Sequence, residues 1–241
     1  MQAMFSATSA ASNVAVGKDS LNSTTTGSGC VGIGFEALYS NTDGANHTMV
    51  GYQAGKDMTN GYYNTGVGHT ALTNNTSGSH NVSVGYESLM TNTSGGNLCA
   101  VGYKALSLNA TAADNTAVGF FALYTNSTGH SNTAVGKHAL KLNTTGHECT
   151  AIGFEALLSH TTGGGSAAHT AVGAYALDAV TTGYFNTGLG HNTGTAITTG
   201  NENTAVGNNA LLAVTTTNQS TAVGCNSLYK STGAQNTALG W

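Results

Sequence analysis

The sequence contains no proline and no arginine, and only 7% of its 241 residues are charged, against roughly 25% in typical globular domains. A composition led by glycine, alanine, serine, threonine and asparagine reads as fibrous, with a surface wetted by hydroxyls and amides. The positive charges are six lysines (Lys18, Lys56, Lys104, Lys137, Lys141 and Lys230). Without arginine, the bidentate contacts that read phosphates and base edges are missing, so nucleic acid is not expected as a partner. The net charge of -4 is too weak for electrostatic steering to be the working principle. Nowhere do about 18 apolar residues run together, so no membrane insertion is expected. The opening residues, Met1 to Thr8, lack the basic region and apolar stretch of a signal peptide.

What is present is a period. A small-apolar-glycine triplet recurs along the chain, with its glycine at Gly17, Gly34, Gly51, Gly68, Gly85, Gly102, Gly119, Gly136, Gly153, Gly173, Gly190, Gly207, Gly224 and Gly240. Eleven of the thirteen intervals are 17 residues, one is 20 and one is 16. The consensus is N-T-A-V-G-x-x-A-L-x-x-N-T-T-G-x-x. Such a period means stacked coils, and the expected fold is mainly β, a parallel β-solenoid of about fourteen 17-residue coils. Residues 1–12 are expected to form an N-terminal cap or attachment segment. Residues 13–241 form the repeat solenoid, with a loop insertion near 163–168 beside the Gly163-Gly164-Gly165 run.

The columns of the repeat carry the physical chemistry. The residue before the key glycine is always Val, Ile or Leu, as in Val16, Ile33 and Val84, which reads as a buried strand column. The residue before that is nearly always Ala, Gly or Ser, with Met49 the exception, so something packs too closely there for a larger side chain. If these small residues face a partner chain, three solenoids can approach closely. The alternative is that they pack inside a thin single coil. The key glycine is expected to end each strand at a positive φ or a close backbone contact. Four residues on comes Leu, with Gly55 and Gly194 as gaps, and G-x-x-A-L-x-x reads as a bend or a single helical turn. The Thr-Thr-Gly that follows is turn chemistry.

Each coil carries about two large apolar side chains, too few to order 17 residues alone, so stability must come from the stack. Equivalent residues then form ladders, with Asn64 and Asn81, or Asn115 and Asn132, satisfying buried amides from coil to coil. Longer blocks also repeat. Cys30-Val-Gly-Ile-Gly-Phe-Glu-Ala-Leu recurs seven coils later as Cys149-Thr-Ala-Ile-Gly-Phe-Glu-Ala-Leu, and Tyr62-Tyr-Asn-Thr-Gly-Val-Gly-His as Tyr184-Phe-Asn-Thr-Gly-Leu-Gly-His. Duplication of this kind lengthens a scaffold.

At the N-T-A-V-G-x-x-A-L unit, clean in Asn115 to Leu123 and Asn132 to Leu140, the chain resembles repeats of phage and viral tail-fibre-domain proteins. It also looks like the N-S-V-A-I-G coils of trimeric autotransporter adhesin heads, whose coil is shorter. The resemblance spans essentially the whole chain and implies a homotrimeric, extracellular, end-attached protein of a virion or cell-surface appendage. Nothing in the sequence resembles the autoproteolytic chaperone domain that often ends tail fibres.

Candidate chemistry is sparse. The four cysteines (Cys30, Cys99, Cys149 and Cys225) never fall on neighbouring coils, which excludes intrachain disulfides and suits small buried residues. As metal ligands, Cys30 with His47, Cys149 with His169, and His130 with His147 share columns on consecutive coils. That column otherwise holds Asn for the first two pairs, and the spacing is not that of a zinc motif, so no metal or cofactor is expected. Glu36, Glu87 and Glu155 share a column expected on an exposed turn. The aromatic column of Phe35, Tyr52, Tyr86, Tyr103, Phe120 and Phe154 offers either a glycan contact or the cover of a hydrophobic seam. No nucleophile elbow or phosphate loop appears.

The composition and repeat therefore point to a structural fibre or adhesin segment, not an enzyme, with itself as partner and a host-surface glycan or protein as receptor. An ice- or surface-binding solenoid is the alternative, weakened because the strand threonine gives way to Val14, Val31, Val82 and Cys99. A glycan-degrading β-helix enzyme fits least, since the ten acidic residues lack a converging basic group.

Overall fold

The computed structural model describes residues 4, 6–161, 165–231 and 233–241, with side chains omitted at 165 and 166. The expected cap therefore falls partly outside the described residues, as do residues 162–164 of the expected insertion. The chain divides into two compact units, Met1–Asn115 and Thr116–Trp241. Each is a parallel β-solenoid, and among the described residues neither contains a helix.

The first unit stacks six three-residue strands, from Val14–Val16 and Val31–Ile33 to Cys99–Val101. They pair in parallel and in register, Val14 with Val31, Val31 with Thr48, and so on. The second unit stacks eight, from Thr116–Val118 to Thr237–Leu239. Its two irregular intervals leave the register intact. Thr150 pairs with Thr170 across the long interval and Thr221 with Thr237 across the short one. The long coil also adds a short ladder of Gly146–His147 against Gly165–Ser166. Before the first strand, Met4 N donates to Ser20 O at 3.0 Å and Thr8 N to Thr25 O at 3.0 Å, so the described part of the N-terminal segment lies on the coil that follows it.

The structure reverses the expected faces of the strand. The small residues point inward: Ala100, Ala117, Ala134, Ala151 and Ala205 are completely buried. The Val/Ile/Leu column expected in the core lies on the outer face, where Val16 is 55% exposed and Ile152 39%. Coil thickness is the cause. The leucines across the coil (Leu38, Leu72, Leu123 and Leu157 among them) are fully buried and already fill the interior, leaving room opposite them for only a methyl. The small column therefore packs inside its own coil and does not face a partner chain.

The segment after the key glycine is not a helical turn but two overlapping β-turns. Ala37 N donates to Gly34 O and Tyr39 N to Glu36 O, and the third residue of each turn, Glu36 then Leu38, is left-handed at φ 52° and 53°. A non-glycine residue there costs on the order of 1–2 kcal/mol. Full burial of the leucine contributes about 1.5–3 kcal/mol, and the left-handed step turns backbone N–H groups along the stack. Glu36 N donates to Lys18 O in the preceding coil, and Leu38 N donates to Ala54 O in the following one. A helix would have kept those donors within the coil.

The two gaps in the leucine column follow from the same geometry. Gly55 and Gly194 hold the left-handed conformation at φ 59° and 58°, where glycine carries no steric cost. Neighbours fill the vacated space. A Cβ on Gly55 would stand 3.0 Å from the Met49 sulfur, and one on Gly194 would stand 2.9 Å from Ile197 Cδ1. Met49, the exception in the small column, thus compensates for the leucine missing from its own coil.

Two asparagine columns line the interior, each with its own chemistry. In the expected column, Asn64 Oδ1 accepts from Asn81 N at 2.9 Å, while Asn64 Nδ2 donates to Gly78 O at 2.8 Å. Asn81 repeats both bonds with Leu98 N and Gly95 O. These side chains therefore staple the backbone of adjacent coils more than they ladder among themselves. The amide-to-amide ladder lies in the second column, where Asn92 donates to Asn75 at 2.9 Å and Asn109 to Asn92 at 3.1 Å. Asn143 donates to Asn126 at 3.0 Å in the second unit.

Candidate functional site

The key glycines are structural elements. They run at φ values from 117° to 144°, a region that L side chains rarely adopt. At Gly119 a Cβ would stand 2.5 Å from the carbonyl oxygen of Gly136 in the next coil. The glycine column thus fixes how closely coils approach, as the sequence indicated.

In the first two candidate metal pairs, Cys30 with His47 and Cys149 with His169, the side chains stand in for asparagine. The Cys30 thiol donates to Gly44 O at 3.5 Å, and His47 Nδ1 accepts from Asn64 N at 3.3 Å. His169 reproduces both asparagine bonds: Nδ1 accepts from Asn186 N at 3.1 Å, so Nε2 carries the proton and donates to Gly183 O at 2.8 Å. With both nitrogens engaged, this imidazole has no lone pair to offer a metal. Burial holds His47 and His169 neutral, with pKa values lowered to about 4. The same burial pushes the Cys149 thiol up to about 11. His130 and His147 stack on the surface with ring centroids 4.0 Å apart, and His147 Nδ1 accepts from His130 N at 3.2 Å. A further buried pair, His160 and His169, not legible in the repeat, meets edge to face at 5.0 Å. They sit in different columns, so only the coil's closure brings them together. Among the described residues, no three His, Cys, Asp or Glu side chains group as metal ligands.

Two surfaces remain as candidates for contact. One is the aromatic edge of the first unit, where Phe35, Tyr52, His69, Tyr86 and Tyr103 stack in sequence with centroids 4.8–5.2 Å apart. Their faces cover one another, so this column presents ring edges outward. Beside it, the acids expected to be solvated are paired. Glu36 meets Lys56 at 2.9 Å and Gln53 at 2.7 Å, Glu87 meets Lys104 at 3.0 Å, and in the second unit Glu155 meets His138 at 3.1 Å. The Lys56 amine, followed by the Gln53 amide, holds Glu36 below the usual carboxylate range, and the Tyr86 hydroxyl, followed by the Lys104 amine, does the same for Glu87. Lys18, Lys137 and Lys141 lie over Phe35, Phe120 and Phe121 at 5.5–5.8 Å.

The second surface is the outer face of each sheet. Its columns are the strand's first and third residues, threonine, valine or (at Cys99) cysteine, and then an aliphatic side chain. In the first unit this face exposes Val14, Val16, Ile33, Val67 and Val82.

Comparison with protein-family models, curated proteins and solved structures finds no match to the chain.

Proposed function

We propose that the chain is a structural fibre or adhesin segment, carried extracellularly by a virion or a cell-surface appendage, that serves attachment and not catalysis. The observation that carries this reading is the repetition of one bonding scheme. The same asparagine staples, glycine contacts and turn hydrogen bonds recur at successive coils, so length can be added without new chemistry. The polar interior is spent on coil-to-coil bonds. Five of the six lysines are engaged with acids or aromatic rings, which leaves little free cationic surface for nucleic acid. The tail-fibre resemblance adds a homotrimer and a host-surface glycan or protein receptor.

Light scattering over a hundredfold concentration range, with and without reducing agent, tests the assembly. A mass of three chains supports the trimeric fibre, and a monomer throughout removes it. Binding to host-cell or glycan arrays tests attachment separately.

A further inference from the structure

We propose that the outer sheet face of the second unit is an ice-binding surface. The strand threonine gives way at four positions, Val14, Val31, Val82 and Cys99, and all four lie in the first unit. From Thr116 onward, every strand of the eight-stranded stack begins with threonine, through Thr133, Thr150, Thr170, Thr187, Thr204 and Thr221 to Thr237, and consecutive members are register partners. Two residues along each strand lies an equally unbroken aliphatic column, from Val118 to Leu239.

The hydroxyls distinguish this column from the other threonines. Several turn threonines have theirs engaged: Thr144 donates to Thr161 O at 3.4 Å, Thr181 to Thr198 O at 3.1 Å and Thr198 to Thr215 O at 3.3 Å. Among the described residues, the hydroxyls of the eight strand threonines have no hydrogen-bond partner in the protein. They form an outward row of free donors and acceptors beside a row of methyl groups, and neither column contains a charge.

The geometry points to a crystal as occupant. The hydroxyls of the single threonine column repeat at about 4.8 Å between strands, close to one oxygen repeat on the prism face of ice, and the aliphatic column runs parallel to it roughly 7 Å away. Hydroxyls at that pitch can occupy lattice-water positions, while the intervening methyls order water without competing hydrogen bonds. The strip is uncharged, as suits a neutral lattice. In projection the strip covers roughly 260 Å² at those spacings.

Freezing-point hysteresis and partitioning into a growing ice front, measured on the full chain, test the proposal. The folded protein should enter ice and show hysteresis. Combined Thr170→Lys and Thr187→Lys, with circular dichroism and melting temperature unchanged, should lower hysteresis at least fivefold. Thr198→Val, in the turn, should leave it intact. A folded parent chain that is excluded from ice, or a lysine variant as active as the parent, overturns the proposal. So does an oligomer that the lysine substitutions dissociate, because the face would then be a contact between copies. Light scattering on the same samples keeps this outcome separate from the fibre reading, which stands or falls on assembly and receptor binding.

Discussion

Met49 and Gly55 share one volume: the methionine side chain lies where the leucine of that coil would otherwise stand, 3.0 Å from a Cβ built on the glycine. The pair is a coupled exception, and each residue is intelligible only through the other. Met49→Ala should empty the site and cost about 2–5 kcal/mol. Gly55→Leu alone should clash with the methionine and also destabilise. The double variant rebuilds the consensus coil and should recover most of the loss. A denaturant-unfolding double-mutant cycle measures the coupling, and additive losses would refute the shared volume.

Replacing Gly119 by valine should disrupt the stack locally. The substitution imposes a β-branched residue at φ 139° and drives its Cβ into the Gly136 carbonyl. A loss of more than about 3 kcal/mol is expected. Hydrogen exchange should rise first in the coils on either side, since a repeat stack can open locally. Uniform protection equal to the parent chain would contradict the contact.

The buried histidines make stability depend on pH. His47 and His169 titrate at about 4 in the folded chain and His160 at about 3, against an ordinary value of 6.5. Between those values the unfolded state binds more protons. The stabilisation is therefore full above about pH 6.5 and is lost as pH falls toward 4, by about 3 kcal/mol for each of His47 and His169. Asp178 opposes part of this, because burial raises its carboxyl to about 6 and favours the folded state at the acid end of the window. His169→Asn restores the side chain that neighbouring coils use, and it should flatten the urea midpoint's pH dependence over that range. An unchanged slope would show that this imidazole is not buried neutral.

Cysteine labelling should follow depth. Cys225 is exposed, whereas Cys30 and Cys149 are buried, with thiol pKa values raised by burial. Since the thiolate is the nucleophile, native-state alkylation monitored by mass spectrometry should modify Cys225 within minutes and spare Cys30 and Cys149 until denaturant is added. Early modification of Cys149 would place it at the surface.

Period, coil count, the positions of glycine constraint and the inward leucine column were all legible in the sequence, because each reflects a local requirement repeated at fixed spacing. A glycine that must sit at positive φ against the next coil can be read from its recurrence alone. The metal candidates were legible as a column but not as chemistry. Only the hydrogen bonds from His169 to Asn186 and Gly183 show an imidazole standing in for an asparagine. What the tertiary structure decided was the direction of the strand. Alternation places alanine and valine on opposite faces of Thr-Ala-Val, but it does not say which face is inside, and hydrophobicity by itself favours the valine. The closed coil is too thin to hold leucine and valine facing each other, so packing volume overrides hydrophobicity. Alanine goes in, and the threonine and valine columns become the surface the protein presents.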